Sequence, residues 1–80
     1  MPVKQNKTVT EIILEYEPVE LYKILKFSGL LPSGGIAKKV VESGEVKVNG
    51  KIETRKRKKM IAGDIIEYNG QRLSLGRASG

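Results

Sequence analysis

The hydrophobic rhythm of this 80-residue chain changes at Gly44, and that change limits the folds open to it. Before Gly44, Ile36, Ala37, Val40 and Val41 recur at helical spacing behind Ser33, a good N-cap, with Lys38, Lys39 and Glu42 on the other side. Beyond it the period falls to two. Val46 and Val48 flank Lys47, and Asn49-Gly50 supplies the residue pair that tolerates positive φ in a two-residue hairpin, with Lys51-Ile52-Glu53 as the return. Asn69-Gly70 repeats the signal between residues 65–68 and 71–75, and Ala62-Gly63-Asp64 marks another turn. Helices followed by short, tightly turned strands make an α+β chain.

The first half completes the outline. Residues 8–15 carry Thr8, Val9, Thr10, Ile12 and Ile13, a β-branched run that reads as a strand. Pro18 suits the first turn of a helix, where its missing N–H is not needed. Leu21, Ile24, Leu25 and Ser28 then line one face, Lys23 and Lys26 lie opposite, and Gly29 ends the helix. Phe27 reads as core. The expected order is one strand, two packed helices, then a small, mostly antiparallel sheet. Residues 8–75 form one domain, with residues 1–7 and 76–80 as flexible ends lacking any periodicity.

Composition removes whole classes of chemistry. The chain has no Cys and no His, which excludes disulfides, thiolate or imidazole metal sites, Cys nucleophiles and Ser–His dyads. Asp64 is its only Asp, so no acidic cluster awaits a metal, and Glu15 and Glu17 read as surface charges. A domain this small buries roughly 60–65% of its unfolded surface, too little for a deep active site. No apolar run approaches the ~20 residues of a membrane span, so a cytoplasmic protein without a membrane partner is the default expectation. No metal, cofactor, catalytic set or small-molecule substrate is expected.

The charge is the remaining signal. The net +6 is concentrated in Arg55, Lys56, Arg57, Lys58 and Lys59; without them ten basic residues face nine acidic ones. In extended backbone Arg55, Arg57 and Lys59 would share one side at ~6.6 Å intervals, a ladder for successive phosphates. The same run also fits a solvated loop that aids solubility, a localisation signal, or a docking site for an acidic partner protein. Ser33-Gly34-Gly35 opens the second helix, where free N–H groups suit an anion and Lys38 and Lys39 follow, although a plain cap and turn explain it equally. Tyr68 is a weak candidate for base stacking, and nothing resembles a DNA recognition helix.

Taken together, Ser33-Gly34-Gly35-Ile36-Ala37-Lys38, the segment Glu42-Ser43-Gly44-Glu45-Val46-Lys47-Val48-Asn49-Gly50-Lys51, the basic run after Glu53-Thr54, and Ala62-Gly63-Asp64 resemble the RNA-binding domain first named for ribosomal protein S-four. The similarity spans about residues 8–75 and is nearest to small, stand-alone bacterial members. It implies the αL motif, two helices and a small sheet that bind structured RNA. The family commonly has Arg after the serine that opens the second helix; this chain has Gly34. The positions that the resemblance offers to RNA are Ser33, Lys38, Lys39, Lys47, Lys51, Arg55, Lys56, Arg57, Lys58 and Lys59. The expectation is a monomeric, non-catalytic protein that grips structured RNA, ribosomal RNA in particular, through phosphates, with ribosomal proteins as further partners. The alternative is a protein-interaction adaptor that uses the basic loop.

Overall fold

The β-branched run forms β1 (Thr8–Leu14), and the two Asn-Gly steps make their hairpins. The structure is a computed structural model and describes residues 8–78; the expected flexible ends at 1–7 and 79–80 lie outside the described residues. After β1 come β2 (Val19–Glu20), α1 (Leu21–Phe27) and α2 (Gly34–Glu42). Then follow β3 (Val46–Val48), β4 (Lys51–Ile52), β5 (Lys59–Met60), β6 (Ile65–Tyr68) and β7 (Gln71–Arg77). This is the expected α+β order, two helices and a sheet.

Five strands join in the order β1-β7-β6-β3-β4, and β2 pairs separately with β5. The β3-β4 and β6-β7 hairpins turn at Asn49 (φ 51°) with Gly50 (86°) and at Asn69 (53°) with Gly70 (78°), the left-handed pairs that such turns require. All pairings are antiparallel except β1 with β7, which run parallel from Thr8 opposite Gln71 to Leu14 opposite Arg77. β7 therefore continues through Gly76 and Arg77, two residues that the sequence assigns to a flexible tail. Their backbone is held by Ile13 and Leu14, and the Arg77 guanidinium reaches Glu17 at 2.6 and 3.3 Å.

One face of the sheet carries Val46, Val48, Ile66, Leu73 and Leu75 into a core shared with Leu21, Ile24 and Leu25 of α1 and Ala37 and Val41 of α2. No polar side chain is buried among the described residues, so the core carries no polar desolvation cost. Two expected core positions fall outside it: Phe27 is 63% exposed and Ile36 is 44% exposed. Each sits roughly a third of a helical turn from the centre of its buried stripe, so neither faces the sheet. Pro18 does not start a helix. It follows a cis peptide and leads into β2, and α1 begins at Leu21.

Candidate nucleic-acid interface

A helix start leaves backbone N–H groups without partners, and at α1 the residue before the helix, Glu20, makes no side-chain cap. The basic run supplies the missing acceptors. Leu21 N–H donates to the carbonyl of Lys58 at 2.9 Å, and Tyr22 N–H donates to that of Lys56 at 3.1 Å. Two such bonds are worth about 1–3 kcal/mol net, and they fix the run against the helix from behind. Lys58 N–H also donates to the Arg55 carbonyl at 3.1 Å, closing a turn at Lys56-Arg57 before β5 begins at Lys59.

That turn corrects the extended ladder expected for residues 55–59. A strand would keep its carbonyls in the plane of a sheet, whereas here two of them are needed at a helix end. Arg55, Arg57 and Lys59 nevertheless remain exposed, while Lys56 and Lys58 are half-buried. Arg55, Arg57, Lys58 and Lys59 line a shallow concavity of about 500 Å³. A second, of about 450 Å³, shares Arg55 and Lys58 with the first and adds Val48, Asn49, Lys51 and Glu53.

Carboxylates hold part of this charge. Glu53 accepts from the backbone N–H and Nε of Arg55, both at 2.9 Å, and from its second guanidinium nitrogen at 3.2 Å. The side-chain hydrogen bond from Arg55, partly offset by burial, is the main reason that the Glu53 carboxyl lies at about 2 instead of the usual 4.5. Lys56 donates to Glu42 at the end of α2. Glu20 lies 3.6 Å from Arg57 and 3.8 Å from Lys23, beyond hydrogen-bond length to both. Among the described residues, Lys38, Lys39, Lys51, Lys58 and Lys59 make no ion pair within 4.0 Å.

Tyr22 joins the loop to α2. The Lys38 ammonium stands 4.7 Å from its ring centroid, and the Arg57 guanidinium carbon 5.8 Å. Gly34 lies beside the same ring, where a Cβ would sit 3.6 Å from Cε2. Ser33 caps α2, its Oγ accepting from Ile36 N–H at 3.2 Å. The start of α2, Lys38, Tyr22 and the basic loop thus form one continuous basic surface, with Lys39 exposed further along α2.

Lys47 stands apart from this surface. It points to the sheet face opposite the core, pairs in register with Glu67, and lines a cleft of about 220 Å³ with Glu45 and Arg72. Tyr68 packs partly against the core.

This arrangement invites comparison with known proteins. Residues 12–75 match the S4 domain. The chain belongs to the S4 domain family. It is 42% identical over 57 residues to a putative RNA-binding protein, YbcJ, of Escherichia coli, a match covering 71% of this chain and 81% of that one. It is 34% identical over 59 residues to a probable ribosome maturation protein, RlbA, of Bacillus subtilis, covering 74% and 83%. The solution structure of E. coli YbcJ, described as revealing an αL motif involved in RNA binding, superposes with a TM-score of 0.63 at 35% identity over 90% of both chains.

Within this S4 domain, sequence reasoning missed Tyr22 and the three carboxylates Glu20, Glu42 and Glu53. No local signal marks Tyr22, which passes for an ordinary flank residue of α1 until the fold places Lys38 and Arg57 against it. Glu53 could have been found, since it lies two residues before an Arg with which it can chelate. Glu17 is another surprise: it accepts from Ala62 N–H at 2.8 Å as well as from Arg77, so it pins a turn instead of serving as a loose surface charge.

Proposed function

We propose that this protein binds structured RNA without catalysing a reaction on it, and that the bound RNA is ribosomal. The observation that carries this reading is the single basic surface made by the 55–59 loop and α2, whose loop is anchored through its own carbonyls and so presents its charge without having to fold first. A prefixed loop loses little conformational entropy on binding. In this reading Lys58, Lys59, Arg57 and Lys38 contact phosphates, Arg55 and Lys51 extend the track, and the start of α2 at Ser33 receives a further phosphate oxygen. Shallow, open concavities suit a backbone more than a small molecule. The name of the Bacillus relative, a probable ribosome maturation protein, supports a ribosomal ligand.

Titrating a ribosomal RNA fragment against the protein at increasing salt tests the reading. Release of counterions from ~5 phosphates gives a slope of log affinity against log salt of roughly −3.5 to −4.5. Replacing Arg55, Arg57 and Lys59 together by Ala makes the slope shallower while the melting curve stays cooperative. A flat salt dependence in the wild type rules the reading out, and binding to an acidic protein that survives RNase supports an adaptor instead.

A further inference from the structure

We infer that Tyr22 is a positioning residue for RNA binding: its ring holds Lys38 and Arg57 as two charged prongs for phosphates of one RNA backbone, without neutralising either. The inference rests on the RNA-binding reading and adds to it a residue that makes no charge contribution of its own.

The argument starts from two ways of ordering a long cationic side chain. A carboxylate orders it and cancels its charge, as Glu53 does to Arg55 and Glu42 to Lys56. An aromatic face orders it through the ring quadrupole and leaves the full positive charge facing outward. In this molecule the second device occurs where two elements meet: Lys38 comes from α2 and Arg57 from the basic loop, and one ring serves both, at 4.7 and 5.8 Å. Glu20 does not saturate Arg57, since it stands 3.6 Å away and is shared with Lys23.

The surroundings fix the ring itself. Tyr22 lies in the first turn of α1, and its N–H is bonded to the Lys56 carbonyl, so the residue that orients the two prongs is tied to the loop bearing one of them. Gly34 borders the ring edge, and its missing side chain leaves that edge uncovered beside the start of α2. Without the ring, Lys38 and Arg57 keep their charge but regain rotamer freedom, which they must surrender when a phosphate binds.

The experiment uses a short, fluorescein-labelled RNA hairpin of mixed sequence, with affinity read by anisotropy across a salt series. Tyr22→Leu is expected to weaken binding roughly three- to tenfold while the salt slope stays near the wild-type value, because both cations still reach phosphates in the complex and only the cost of ordering them has risen. Tyr22→Phe keeps the π face and is expected to retain both affinity and slope. In a Lys38→Gln, Arg57→Gln background the ring has nothing left to position, so adding Tyr22→Leu changes neither. Tyr22→Gln, of similar length without a ring, replaces Tyr22→Leu if that variant fails to fold. An unchanged affinity in the folded ringless variant overturns the inference while the RNA-binding reading stands. Equal losses in Tyr22→Phe and Tyr22→Leu overturn it as well, since they assign the contact to the phenol hydroxyl. A wild type that ignores the hairpin, or binds it independently of salt, overturns both.

Discussion

The carboxamide of Asn49 donates to Oδ1 of Asp64 at 3.0 Å, and its own oxygen accepts from Ile65 N–H at 2.9 Å. Two turns far apart in sequence are thereby locked: the hairpin at Asn49-Gly50 and the bend at Gly63-Asp64. Oδ2 of Asp64 closes the bend by accepting from Ile61 N–H at 3.0 Å. Asp64→Ala removes both acceptors and is expected to cost about 1–3 kcal/mol, seen as a lower thermal midpoint. Asn49→Ala is expected to cost a similar amount, with the two losses less than additive in a double-mutant cycle. The RNA salt slope stays unchanged in both, because neither residue supplies a cation, although Asn49 borders the concavity of Lys51 and Arg55.

Acid weakens the hold of Glu53 on the basic loop. Glu53 has its folded carboxyl pKa depressed to about 2 from 4.5, so its contribution to stability is complete above the unfolded value and disappears as pH falls from about 4.5 towards about 2. Glu17 is shifted in the same direction, chiefly by its hydrogen bond from Arg77. In Glu53→Gln the decline of melting temperature across that window becomes shallower than in the wild type. Equal pH profiles for the two proteins would contradict the role of the Arg55 pair.

The serine that opens α2 separates a helix cap from an anion site. Ser33→Ala loses the bond to Ile36 N–H and is expected to cost ~1 kcal/mol of stability. Ser33→Asp restores the cap and favours the helix dipole, so it keeps stability near the wild-type value. Its added negative charge repels a phosphate, and RNA affinity falls. Chemical denaturation and an RNA titration on the same three proteins check both halves.

Glu42 restrains Lys56 from the end of α2, an ion pair with both side chains partly in solvent and worth about 0.2–1 kcal/mol. The Glu42 carboxylate also places a negative charge beside the basic loop, where it opposes a phosphate. Glu42→Gln is therefore expected to raise RNA affinity by up to about fivefold at low salt, with the gain shrinking as salt rises. Anisotropy titrations at two ionic strengths measure it.

What the sequence makes legible depends on how local the cause is. The Asn-Gly turns, the Ser33 cap and the stripe of Ala37 and Val41 are each set by neighbours within a few residues, and all appear where expected. The parallel pairing of β1 with β7 joins the two ends of the domain, so nothing near Ile13 announces that Gly76 is its partner. The turn inside the basic run was hidden for the same reason: the groups that recruit its carbonyls belong to Leu21 and Tyr22. In the candidate site the cations could be read directly as a run of charges. Which of them stand near a carboxylate could not, because Glu42 and Glu20 approach Lys56 and Arg57 only through the packing of α1 and α2.

The anchoring of the loop through the carbonyls of Lys56 and Lys58 has a consequence for how such a surface can change over time. Every amino acid brings a carbonyl, so these two bonds to α1 do not depend on which side chains the segment bears. Substitutions there can retune the ligand while the scaffold persists, and a lineage can explore new RNA targets one residue at a time without first losing the fold that presents them.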